Sequence, residues 1–192
     1  MKQFILTVFI LLATSCIPYS DNPLTDQTKE TLDTSILGTW YWNEESDEGF
    51  VHIGKDAGDK TLLITMVEVK KDGNVETSEF RGFTSRLSSH RFLNLKWARP
   101  SESETGYFFM KYVVTADFLE CSFPDQGVIA DAVKSGALKG KVLSPGELAP
   151  TIRIYASQDE LRKFFLKNDA ALFKDSSKLK RLILPKQKAQ KS

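Results

Sequence analysis

The chain has 192 residues, with 26 Lys and Arg against 25 Asp and Glu. That length suits one domain with a real core, and the balanced charge excludes a general nucleic-acid footprint. Two cysteines and two histidines leave little material for a metal centre or a disulfide framework.

The first element is MKQFILTVFILLATSC. Lys2 gives it a positive start, and Phe4 to Ala13 is an apolar run broken only by Thr7. The run is shorter than the roughly 20 residues a membrane span needs. The small residues Ala13-Thr14-Ser15 follow it, as a signal-peptidase site requires. Residues 1–15 therefore read as a secretory signal, cut before Cys16. Its loss removes Lys2 and balances the remaining charge.

Residues 16–35 are polar, contain two prolines and show little periodicity. They read as a flexible tether. From Ile36 the texture becomes strands and turns. ILGTWYWN, GFVHIG, TLLITMVEVKK, VETSEFRGFTSRL, HRFLNLKW, YFFMKYVVT and FLECSF are strand candidates separated by turn signals, DGN among them. A series of this kind suits a meander or barrel. PDQGVIADAVKSGALKG then predicts a helix at about 126–139, with Asp125 as cap and Val128, Ile129, Ala132 and Val133 at helical spacing. TIRIYAS reads as a last strand. A second helix is expected over 157–168, with Ser157 and Glu160 as a capping box and Leu161, Phe164 and Phe165 as its apolar face. Residues 174–192 carry seven basic residues and one acid and read as a solvated basic tail.

The fold class expected is mainly β: an antiparallel barrel or strongly curved meander over 36–173, with two flanking helices near the C-terminus. In a barrel, alternate side chains point inward. In YFFMKYVV the inward set is assigned to Phe108, Met110, Tyr112 and Val114, because the other set would bury Lys111 unpaired. Leu119, Cys121 and Phe123 join them from the next strand. In TLLITMVEV, Leu63, Val67 and Val69 are assigned inward, since the other face carries Glu68. Phe108, Met110, Tyr112, Val114, Leu119 and Phe123 are thus the candidate ligand-binding residues of the barrel interior.

The chemistry-bearing residues form no catalytic constellation. Cys121 lies on an apolar face and reads as a buried, inert thiol. His52 faces outward by alternation, and His90 sits at a turn. Neither H-E-x-x-H nor G-x-S-x-G occurs. Glu44, Glu45, Asp47 and Glu48, with Asp56 and Asp59, read as solvated hairpin turns, because the ligand spacing of a calcium loop is missing. No metal and no cofactor are expected.

Two short motifs carry resemblances. Leu12-Ala13-Thr14-Ser15-Cys16 resembles the lipobox of bacterial lipoproteins. That implies a diacylated, N-acylated Cys16, and Ile17 after it implies sorting to the outer membrane, facing the periplasm. The membrane, reached through this anchor, is the first expected partner. Gly38-Thr39-Trp40-Tyr41 resembles the G-x-W motif that opens the lipocalins. The resemblance implies a barrel plugged at one end by the Trp, and a late-strand arginine packed on it whose position the sequence does not reveal. Two functions follow. The barrel either binds a small apolar or amphipathic ligand, or serves as a non-enzymatic interaction or structural module of the cell envelope, its interior filled by its own Phe and Trp side chains.

Overall fold

The computed structural model describes residues 17–44, 47–57, 60–101, 104–143 and 151–183. The expected signal segment and the lipidation site Cys16 lie outside the described residues.

Eight strands close into an antiparallel barrel. Chain order begins with a two-residue strand outside it, β1 (Tyr19–Ser20), and then seven barrel strands run in a meander. These are β2 (Gly38–Asn43), β3 (Asp47–Lys55), β4 (Leu62–Lys70), β5 (Val75–Leu87), β6 (His90–Trp97), β7 (Phe108–Val114) and β8 (Phe118–Ser122). Helix α1 (Gln126–Lys134) follows, then β9 (Gly140–Val142), β10 (Ile152–Ile154), α2 (Gln158–Lys167), α3 (Asp169–Leu172) and β11 (Ser177–Arg181). β11 inserts between β8 and β2 and closes the barrel.

The turns follow the sequence chemistry. Gly73 of DGN adopts φ +83°, and the Lys70 amide donates to the Asn74 carbonyl at 2.8 Å. α1 starts at its Asp125 cap as expected, but it ends at Lys134, short of residue 139, because Gly136 turns the chain at φ +76°. α2 begins on the full Ser157–Glu160 capping box. The Lys139 ammonium and the Ser157 hydrogen bonds hold the Glu160 carboxyl down at about 2.

Two hydrophobic cores result. One fills the barrel and includes Trp40, Ile53, Ile64, Leu93, Phe108 and Leu119. The other lies between the outer wall and the helices. There Phe92 and Phe109 of the barrel meet Leu161, Phe164 and Phe165 of α2 and Ile129 of α1. β10 is a strand as expected, but it belongs to a separate three-stranded sheet, β1-β10-β9, beside this second core.

Three expectations are corrected. Residues 17–35 are no tether. Tyr19 and Leu24 are buried, Ser20 exchanges two 2.7 Å backbone hydrogen bonds with Tyr107, and β1 pairs in parallel with β10. The Leu24 amide donates to Asn94 Oδ1 at 2.7 Å, and the Asp33 amide to Thr84 Oγ1 at 2.9 Å. The segment is a strap fixed by specific polar contacts to the barrel. The supposed basic tail contributes the eighth barrel strand: Leu179 is buried inside while Lys178 and Lys180 point out. On β4 the inward set is Leu62, Ile64, Met66 and Glu68, in place of Leu63, Val67 and Val69. Burying three large apolar side chains outweighs one carboxylate at the barrel's end, where Lys70 pairs with it.

Candidate functional site

The barrel has two unlike ends. At one, Gly38 at φ +133° lets the chain bend into β2, and Trp40 fills the interior with no exposure. Its indole Nε1 donates to the Ile36 carbonyl at 2.9 Å, within the 3₁₀ turn Thr34–Ile36. Arg181 at the end of β11 lies over the Trp40 ring, 3.9 Å from its centroid. Its guanidinium also donates to the carbonyls of Ser35, Leu37 and Ala116 at 2.8–3.0 Å. A Cβ on residue 38 would come within 2.9 Å of Arg181 Nη1, so the glycine also makes room for the arginine. At the other end Tyr19 reaches over from the strap, packs edge-on against Phe108 and accepts a 2.8 Å hydrogen bond from Trp97 Nε1.

Between the ends lies an apolar void of about 40 Å³. Phe108, Met110, Leu119 and Phe123 line it as the sequence suggests, with Cys121 beside them. Burial pushes the Cys121 thiol well above its ordinary value, and Glu120 adds to this. Tyr112 is buried on the same face but does not reach the void. Its hydroxyl donates to Asp33 Oδ2 at 3.0 Å, beneath the strap. Burial and the Asp33 carboxylate push its phenol well above the ordinary range. Val114 is half-buried, packs against the barrel core and borders a groove of about 250 Å³ with His90, Arg91 and Lys111. Lys111 points outward, as assigned, and its ammonium meets both carboxylate oxygens of Asp169 at 2.7 Å. His90 Nε2 lies 3.8 Å from that carboxylate. His52 is exposed, with Nδ1 2.9 Å from Thr39 Oγ1.

A larger cavity, about 390 Å³, lies between strap residues 29–33 and the ends of β5, β6 and β7. Its charged lining is Lys29, Glu30, Asp33, Arg86 and Arg91. Asp33 organises it. One carboxylate oxygen accepts from Arg91 Nη1 and Tyr112 Oη, both at 3.0 Å, and the other from Ser35 N and Oγ. Burial acts to raise the Asp33 pKa, but the hydrogen bonds from Ser35 and Tyr112 and the Arg91 charge outweigh it and hold the carboxyl below its usual range. Sequence reasoning missed Asp33, Arg86 and Arg91. The usable signal was phase: Arg86 alternates with Phe80, Gly82 and Thr84, and Arg91 with Leu93 and Leu95.

Among the described residues no group of three or more His, Cys, Asp or Glu is placed to hold a metal ion. No described helix is long and apolar enough to cross a membrane. Comparison of the chain with family models, curated proteins and solved structures returns no match.

Proposed function

We propose that this chain is a non-enzymatic interaction or structural module of the bacterial cell envelope, a lipocalin-like barrel filled by its own side chains and held at the outer membrane by a lipid on Cys16. The observation that carries the filled-barrel reading is the size of the interior void. About 40 Å³ accommodates a water or two. Small-molecule pockets run from roughly 300 to 1,000 Å³. The lipocalin likeness draws support from Gly38-x-Trp40 at the plugged end together with the Arg181 guanidinium on the indole ring.

The strap alters what an anchor would do. Ile17 and Tyr19 already pack on the barrel core. A lipid on Cys16 would therefore hold the Tyr19–Trp97 end close to the bilayer, without the spacer that a tether would provide.

A second reading, binding of a small apolar or amphipathic ligand in the interior, draws on the same void. Its walls are wholly apolar, and two of them are Met66 and Met110, unbranched side chains that repack easily. Organic extraction of the purified protein, followed by mass spectrometry, separates the two. The filled barrel carries no lipophile beyond the acyl groups on Cys16. One equivalent of a non-covalent lipophile would replace it with the binding reading. For the anchor, Cys16→Ser is expected to block processing or release the protein from the membrane. A processed Cys16→Ser protein that stays in the membrane fraction at wild-type yield would exclude lipidation.

A further inference from the structure

We propose that the cavity under the strap is a binding site for a small oxyanion, a carboxylate or a phosphate group, held by Arg86, Arg91 and Lys29. The site lies outside the apolar interior, so it stands whether or not the barrel is filled.

The argument begins with register. Arg86 of β5 sits directly opposite Arg91 of β6. Both continue the inward-facing phase of their strands, so both are presented on the inner side of the barrel rim at the Trp40 end, beneath strap residues 29–33. Like charges directly opposite each other destabilise a strand pair. An anion bridging them would relieve that repulsion. Asp33 supplies one carboxylate, but its oxygens are committed to Arg91, Tyr112 and Ser35. The Arg86 guanidinium, near enough to act electrostatically on Tyr112, forms no hydrogen bond and no ion pair with another described residue. Its fork of donors is available, and that fork matches the paired oxygens of a carboxylate or phosphate.

The cavity gives the anion room. Its volume of about 390 Å³ falls within the range of small-molecule sites. Lys29 adds a third cation at the rim. Its side chain is 82% exposed and only 3.5 Å from Asp26, a loose surface pair that leaves the ammonium free to turn inward. Against the three cations stand Asp33 and Glu30. The lining thus carries one net positive charge, which suits a ligand with a single anionic group. Partial enclosure by the strap and the barrel rim strengthens that attraction over its value in open water. The neighbouring Tyr112 and Thr84 hydroxyls are engaged with Asp33 and the strap, so they shape the wall.

The test is calorimetric titration of the full chain with inorganic phosphate and, separately, with acetate, at low ionic strength. Saturable binding of either anion is expected, and the one bound more tightly names the ligand class. Arg86→Gln is expected to weaken it by about tenfold or more, as loss of a charge-assisted bidentate contact should. Because the Arg86 side chain makes no hydrogen bond or ion pair with another described residue and faces a like charge across the ladder, that variant should unfold at or slightly above the wild-type denaturant concentration. Lys29→Gln, at an exposed position, should weaken binding severalfold, and Arg86→Lys should retain part of it. Absence of saturable binding by both anions would overturn the proposal. So would equal affinity in the wild type and a folded Arg86→Gln protein.

Discussion

Replacing Asp33 by alanine tests whether the strap is part of the fold. The carboxylate accepts hydrogen bonds from Arg91, Tyr112 and Ser35, and its own amide is anchored to Thr84. Hydrogen bonds to a charged group contribute about 1.5–3 kcal/mol each, and breaking a fully buried ion pair costs about 3–5 kcal/mol. Here the Asp33 side chain is 23% exposed and that of Arg91 37%. Water can therefore recover much of the arginine's solvation once the partner is gone, but little of the buried Tyr112 hydroxyl's. The expected loss is about 2–3 kcal/mol by urea denaturation. Amides of residues 24–37 should exchange faster with solvent, while those of β3 to β6 stay protected. The pH dependence has a fixed sign. The folded pKa of Asp33 lies below its ordinary value, so its contribution is complete above the unfolded carboxylate value near 3.9 and fades as pH falls through the folded value. The gap between wild type and Asp33→Ala should therefore narrow below about pH 4. A loss under about 0.5 kcal/mol, or strap exchange unchanged by the substitution, would show that the strap contacts do not hold in solution.

Phe165 is fully buried, 5.2 Å from Phe109 and 6.2 Å from Phe92, so Phe165→Ala should cost about 3–5 kcal/mol while Ser157→Ala, which removes only a cap, costs about 1 kcal/mol. Denaturant midpoints at constant slope will show the contrast, and equal effects would detach α2 from the core. Arg181→Ala should cost about 2–4 kcal/mol through three lost carbonyl contacts and the lost Trp40 stack, with Arg181→Lys restoring only a part. Thermal unfolding followed by tryptophan fluorescence measures both variants. Cys121 is free and 2% exposed, so thiol labelling of the native protein should be slow and should accelerate on denaturation. Rapid native labelling would place the thiol elsewhere.

The elements most legible in the sequence are those whose burial follows a period. Phe108, Met110 and Tyr112 alternate strictly, and Leu161, Phe164 and Phe165 recur at helical spacing, so their faces could be read directly. β11 was hidden because SKLKR carries one apolar residue, Leu179, between lysines. A period cannot be read from a single apolar position. The strap was hidden for another reason. Tyr19, Leu24 and Ile36 are buried at irregular intervals, and the segment is held by side chains distant in sequence, such as Asn94 and Thr84. β4 shows how a rule can mislead. Avoiding a buried Glu68 pointed to the wrong face, because the charge sits at the barrel's end with Lys70 beside it. The charged cavity was invisible for a related reason: Arg86 and Arg91 look like surface residues until the phase of their strands is fixed by Phe80 and Leu93.

The central claim is that the barrel is filled, and titration with an environment-sensitive acyl probe tests it most directly. With an interior void of about 40 Å³, no saturable fluorescence change is expected at micromolar probe, and Met110→Trp should overpack the core and cost about 1–3 kcal/mol. Saturable binding at micromolar affinity, about −8 kcal/mol, abolished by a Met110→Trp change that leaves stability intact, would contradict the account.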